Sequence, residues 1–254
     1  MKAAGKKIVV VTAYDALFGR LVDEAGVDCV LVGDSVNQVL CGEPSTLSAT
    51  LDQMIYHARA VRRGVTRALV VVDLPFLSYQ VGREDAVRSA GRVMKETGAS
   101  AVKLEGGATM ADTVRALVDI GIPVMGHLGL TPQSVHALGG YRVQGREAAD
   151  ARRLESDAAA LESAGAFSIV LELVPASLAA AISQARAVPT IGIGAGPGCD
   201  GQVLVLPDLL GLNDGFAPKF LKRYASLAAD VRSAVGRFGD EVRRGAYPDT
   251  EHSF

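Results

Sequence analysis

Eight short apolar runs rich in Val and Ile constrain the fold of this chain more than any other feature: IVVVTAYD from Ile8, CVLVGDS from Cys29, ALVVVDLP from Ala68, SAVKLEGG from Ser100, IPVMGHLG from Ile122, SIVLELVP from Ser168, VPTIGIGAG from Val188 and GQVLVLPD from Gly201. Such runs lack polar alternation, as strands do when they pair in parallel and are covered on both faces. Most of the gaps between them carry apolar residues at helical spacing. One stripe is Leu17, Phe18, Leu21, Val22 and Ala25, a second is Met54, Ile55, Ala58 and Val61, and a third is Ala86, Val87, Ala90, Val93 and Met94. Eight strand and helix units in 254 residues fit a closed (β/α)8 TIM barrel, typically about 250 residues long. A doubly wound open sheet is the structural alternative. Its dinucleotide fingerprint fails here, because counting from Gly192 puts Pro197 where the third glycine must stand, and no helix with a ribose-binding acid follows. The gap from Gly194 to Gly201 is too short for a helix, whereas Leu128 to Gly165 has room for a loop before its helix.

No linker, repeat or low-complexity tract interrupts the chain, so residues 1–254 read as a single barrel domain with a C-terminal helical segment. Phe220, Tyr224, Leu227, Val231, Val235 and Phe238 lie at helical spacing in that segment and read as core-facing. With 26 basic and 28 acidic residues the net charge is −2, which gives no broad positive field for nucleic acid or an anionic membrane surface. The apolar stretch near the start is too short for a signal segment or a membrane span. Cys29, Cys41 and Cys199 are odd in number and scattered, without a C-x-x-C pair. Neither a disulfide framework nor a zinc site follows, and reduced thiols in a cytoplasm are expected.

In a parallel barrel the carboxyl ends of all strands meet on one face, where active sites form. Asp34, Asp73, Lys103, Glu105, His127 and Glu172 all stand at or near the ends of runs two to six. Taken singly, each has an ordinary structural reading. An aspartate after a strand can be a helix N-cap, Lys103 and Glu105 two apart can be a plain ion pair, and a lone histidine can be a satisfied core residue. Glu172 is the exception, because a carboxylate in an otherwise apolar strand is costly unless paired. Together they make an oxygen-rich site suited to a hard divalent ion such as Mg²⁺. A 2-oxo acid could chelate that ion through two oxygens, the ion would polarise the ketone, and the adjacent C–H would become acidic. Glu172 is the natural base to take that proton.

The motifs VTAYD, LVGDS, MIYHARAVRRG, DLPF, VKLEGG, GHLGLTPQSV, GGYRVQGR, LELVP, IGIGAG, DGQVLV and YPDTEHSF run in this order from residue 11 almost to the end. In them the chain closely resembles the ketopantoate (3-methyl-2-oxobutanoate) hydroxymethyltransferase family. The resemblance implies a TIM barrel of the phosphoenolpyruvate/pyruvate-binding type and an oligomer, commonly a decamer. It also implies transfer of a hydroxymethyl group from 5,10-methylenetetrahydrofolate to 3-methyl-2-oxobutanoate through a Mg²⁺-stabilised enolate, the first committed step of pantothenate biosynthesis. On matching positions it makes Asp34 and Asp73 metal ligands, with Glu105 in or just outside the metal shell. Asp34, Ser35, Asp73 and Lys103 would hold the keto acid, His127 would face substrate or product, and Glu172 would accept the proton. Two alternatives stand beside it. One is a lyase or aldolase of the related barrels, with Lys103 as a Schiff-base nucleophile in one variant. The other is a barrel that has lost catalysis and serves in binding or assembly.

Overall fold

All eight apolar runs form parallel strands in the computed structural model, which describes residues 1–254. They are β1 (Ile8–Thr12), β2 (Cys29–Val32), β3 (Leu69–Asp73), β4 (Ala101–Glu105), β5 (Val124–Gly129), β6 (Ser168–Glu172), β7 (Thr190–Ile193) and β8 (Gly201–Leu204). Each pairs with the next in sequence, and β8 returns to β1 with Val203 opposite Val10, so the sheet closes into a barrel. Between strands lie α1 (Ala16–Glu24), α2 (Val36–Val39), α3 (Leu51–Gly64), α4 (Arg83–Thr97), α5 (Ala111–Asp119), α6 (Ala148–Ser163) and α7 (Ala176–Ala185). Local chemistry sets several helix ends. Asp15 caps α1 by accepting from the Phe18 N–H, Thr50 and Gln53 form a reciprocal capping box at α3, and Gly98 at φ 69° closes α4.

Strand side chains alternate between the barrel interior and the helical layer. Inside, Val10, Cys29, Leu31, Val71, Ala101, Met125, Val170, Ile191 and Val203 pack into one buried cluster to which every strand contributes. Two residues further along β3, β4, β5 and β6, on the same interior face, stand Asp73, Lys103, His127 and Glu172, with Glu105 another step along β4. The strands therefore carry an apolar layer and, towards their carboxyl ends, an ionisable one.

The stripes of α3 and α4 behave as their periodicity implies. Met54, Ile55, Ala58 and Val61 are buried, as are Ala86, Ala90 and Val93. The stripe of α1 does not, since Leu17 and Leu21 are 57% and 44% exposed and Ala25 is exposed as well. Glycine contacts explain the rotation. A Cβ on Gly64 would stand 2.2 Å from the Ala16 carbonyl oxygen, and one on Gly19 would stand 3.1 Å from that of Val61. The backbones of α1 and α3 thus touch through their glycines, which faces the leucines outward. Between β7 and β8 there is no helix. The glycine loop there lies against α7, where Cβ atoms on Gly196 and Gly198 would meet the Cβ atoms of Ala176 and Ala180 at 2.4 and 2.6 Å.

Contacts divide the chain into two compact units, Met1–Val205 and Leu206–Phe254. The second contains α8 (Leu206–Leu209) and α9 (Leu227–Arg243). Within it, the backbone amides of Tyr224 and Leu227 donate to the carbonyls of Leu209 and Leu210. The core-facing reading of this segment is corrected, because Tyr224, Val231, Val235 and Phe238 are 66%, 52%, 62% and 53% exposed. A 3.6-residue period identifies an apolar face of a helix but carries no information about what covers it.

Candidate active site

The ionisable layer converges as strand geometry requires. Asp34, Asp73, Lys103, Glu105 and His127 are each no more than 6% exposed, and the Glu172 side chain is 18% exposed. Asp34 sits just beyond β2, where its backbone N–H donates to Asp73 Oδ2 at 3.0 Å. Lys103 Nζ stands 2.9 Å from Asp73 Oδ1, a buried ion pair. Lys103 also lies 3.3 Å from His127 Nδ1. The imidazole bridges two acids, with Nδ1 3.5 Å from Glu105 Oε1 and Nε2 3.2 Å from Glu172 Oε2. Ser35 begins α2, and its Oγ is 2.9 Å from Tyr14 Oη.

Charge in this cavity is poorly balanced. Burial, then the charges of Asp73 and Glu105, hold the Asp34 carboxyl well above the usual carboxylate range, against Lys103 and a hydrogen bond from Gln133. Burial pulls the Lys103 ammonium down, but the charges of Asp73, Glu105 and Asp34 outweigh it and keep the lysine protonated. For His127, burial and the Lys103 charge also pull down, yet the bonds to Glu105 and Glu172 prevail and raise it to about 9. The site thus has a surplus of carboxylate that a cation would relieve. No three carboxylate or imidazole side chains converge closely enough to ligate one ion alone, so an ion held here would need oxygens other than those of the side chains, as is usual for Mg²⁺.

Glu172 is set by its surroundings rather than by its sequence neighbours. Leu171 points away into the buried outer layer, and Leu173 takes a left-handed φ of 46°, which is uncommon for a residue with a side chain. This bend is tied on both sides, as the Leu173 N–H donates to the Ile193 carbonyl and its own carbonyl accepts from the Gln144 N–H. Gly129, at φ 91°, lies against the same point, and a Cβ there would meet the Glu172 carbonyl oxygen at 2.2 Å. A left-handed leucine just after an acid at the cavity is the kind of local strain that collects at functional sites.

Three further residues in the cavity wall were not singled out by their sequence pattern. Tyr14 contacts Ser35 as described. Tyr79 accepts from the Glu105 N–H at 3.0 Å, and Gln133 touches both Asp34 and Glu105. They lie in loops and a short 3₁₀ turn, where no periodicity exists to mark which side chains face inward.

Among solved structures, 2,3-dimethylmalate lyase of the PEP mutase/isocitrate lyase superfamily is similar with a TM-score of 0.63 at 19% identity, over 98% of this chain and 84% of that one. Phosphonopyruvate hydrolase in complex with oxalate and Mg²⁺ is similar with a TM-score of 0.61 at 14% identity, over 98% and 89%. At these identities the likeness is one of fold, a (β/α)8 TIM barrel. Sequence relatives are much nearer. The proteins named 3-methyl-2-oxobutanoate hydroxymethyltransferase from Moorella thermoacetica and Pelobacter propionicus are 59% and 57% identical over 254 residues, covering 100% of this chain and 94% of each of theirs. The family model described as ketopantoate hydroxymethyltransferase matches residues 1–250, and with that span and those identities the chain belongs to the ketopantoate hydroxymethyltransferase family of enzymes.

Proposed function

We propose that this enzyme transfers a hydroxymethyl group from 5,10-methylenetetrahydrofolate, with water, to 3-methyl-2-oxobutanoate, giving 2-dehydropantoate and tetrahydrofolate as the first step of pantothenate biosynthesis. The observation that carries this reading is the convergence of Asp34, Asp73, Lys103, Glu105, His127 and Glu172 on the interior of one barrel, in a chain whose relatives are named for this reaction. The donor set fits a magnesium ion, through its buried carboxylates crowded against one another. Asp34 and Asp73 would hold the ion, with Glu105, whose oxygens already face Gln133 and His127, in or just outside its shell. When bound, the ion supplies Lewis acidity that polarises the 2-oxo group of the substrate.

The chain's own residues do the rest. The Lys103 ammonium and the Ser35 hydroxyl, with Asp34 and Asp73, orient the keto acid. Glu172 takes the proton from C3, the carbon between the ketone and the two methyl groups, and C3 then forms a bond to the one-carbon unit, whose two C–N bonds to the folate break, water supplying the hydroxyl oxygen and the protons of water and C3 ending on the folate nitrogens and the new hydroxyl. His127, poised against the Glu172 carboxylate at 3.2 Å, holds that base in line and lies beside the bound substrate or product. Turnover of keto acid and reduced folate is expected to fall at least about 100-fold when EDTA strips the metal, as the loss of several kcal/mol of charge stabilisation implies, and to return with Mg²⁺. Turnover that survives EDTA would remove the metal from the reaction.

Self-association belongs to the same proposal, with the decamer that the family resemblance implies as the assembled state. Supporting it are the uncovered apolar residues Leu17 and Leu21 on α1 and Val231, Val235 and Phe238 on α9, since apolar faces of this kind mark interaction surfaces. Sedimentation velocity should give a particle well above the 26.4 kDa of one chain, and a monomer at micromolar concentration would overturn this part.

A further inference from the structure

Gln133 lies in a 3₁₀ turn, Pro132–Ser134, just after β5, and is 6% exposed. Its carboxamide uses all of its hydrogen-bonding capacity. Nε2 donates to Asp34 Oδ2 at 2.8 Å and to the Leu74 carbonyl at 3.0 Å. Oε1 accepts from Tyr79 Oη at 2.8 Å and from Gln80 Nε2 at 3.0 Å. The Gln133 backbone N–H donates to Glu105 Oε2 at 2.9 Å. One residue thus ties together the segments that follow β2, β3 and β5 and the end of β4.

The two donor bonds restrain the acids. Nε2 engages Asp34 Oδ2 and so restrains the rotation of that carboxylate, and the second bond, to the carbonyl of the residue after Asp73, fixes the distance between the two aspartate-bearing segments. Nε2 has no freedom to rotate away, because the Tyr79 and Gln80 donors hold the other end of the amide. A carboxylate as surrounded by like charge as Asp34 would otherwise turn towards the nearest donor.

We propose that Gln133 is a positioning residue that holds Asp34 in its metal- and substrate-binding orientation. This rests on the reading of Asp34 as a ligand given above. Groups that hydrogen-bond to a metal ligand typically change metal affinity or activity by about 10- to 100-fold when removed, which sets the expected scale.

The test is Mn²⁺ binding, followed by calorimetry in the presence of 3-methyl-2-oxobutanoate, for the wild type, Gln133→Met and Gln80→Met. Gln133→Met keeps the length of the side chain and the backbone bond to Glu105 but deletes every bond of the carboxamide. Its Kd for Mn²⁺ should rise by about 10- to 100-fold, with kcat/KM falling alongside. A merely structural role would reduce the number of folded sites and leave the Kd of the remaining ones unchanged. Gln80→Met keeps Gln133 and removes one of the two donors that fix its Oε1 without touching Glu105, so a smaller rise of about threefold or more is expected, as for one neutral hydrogen bond. It decides the matter if Gln133→Met does not fold. An unchanged Kd in whichever variant folds overturns the proposal. A wild type that binds no Mn²⁺ and turns over in EDTA overturns the metal reading itself, a separate and recognisable result.

Discussion

Glu172→Gln is expected to bind 3-methyl-2-oxobutanoate yet no longer exchange its C3 hydrogen with deuterated solvent, and to lose about 10²- to 10⁴-fold in turnover, the usual contribution of a positioned base. The substitution is nearly isosteric, and an amide at this position can still meet His127 Nε2, which lies 3.2 Å from Glu172 Oε2. Binding and folding should therefore survive while proton transfer does not. NMR of the substrate in D₂O with the variant, without folate, isolates this step from the later carbon–carbon bond formation. Exchange at the wild-type rate would take the base role away from Glu172 and leave the remainder of the site to be explained differently.

Lys103→Met should be the most destabilising single change in the cavity. The lysine and Asp73 are about 5% and 4% exposed and 2.9 Å apart, and Asp34 and Glu105 also act on the same ammonium. Removing one partner of a buried pair leaves the other uncompensated, at a cost of about 3–5 kcal/mol. Denaturant unfolding of the metal-free variant measures the loss, and Mg²⁺ should restore more stability to the variant than to the wild type, because the variant cavity then lacks a resident cation. Equal stability of the two metal-free proteins would show that Lys103 does not offset this charge. The same electrostatics bear on the Schiff-base alternative. A nucleophilic amine must be neutral, whereas the acids around Lys103 keep it protonated.

Much of this site was legible in the sequence because strands and their ends obey a simple rule. An interior face recurs every second residue, so Asp73, Lys103, Glu105, His127 and Glu172 announce themselves as polar interruptions in apolar runs, and parallel topology brings them to one end. Two kinds of feature escaped. The outward turn of Leu17 and Leu21 depends on glycines of two helices meeting, Gly19 and Gly64, which no single stripe encodes. Gln133 and Tyr79 act across gaps of 99 and 26 residues, to Asp34 and Glu105, from segments without repeating geometry. Their polar side chains look like ordinary loop residues until the fold folds them inward. The bend at Leu173 was hidden for a related reason, since leucine carries no sign of a left-handed backbone, while Gly129 opposite it does.

The apolar layer beneath the acids has a consequence for traffic. Val10, Cys29, Leu31, Val71, Ala101, Met125, Val170, Ile191 and Val203 plug the bore from wall to wall, so the cavity is a cup rather than a tunnel. Any small molecule that meets the ionisable layer therefore has to come from the side of the strands' carboxyl ends.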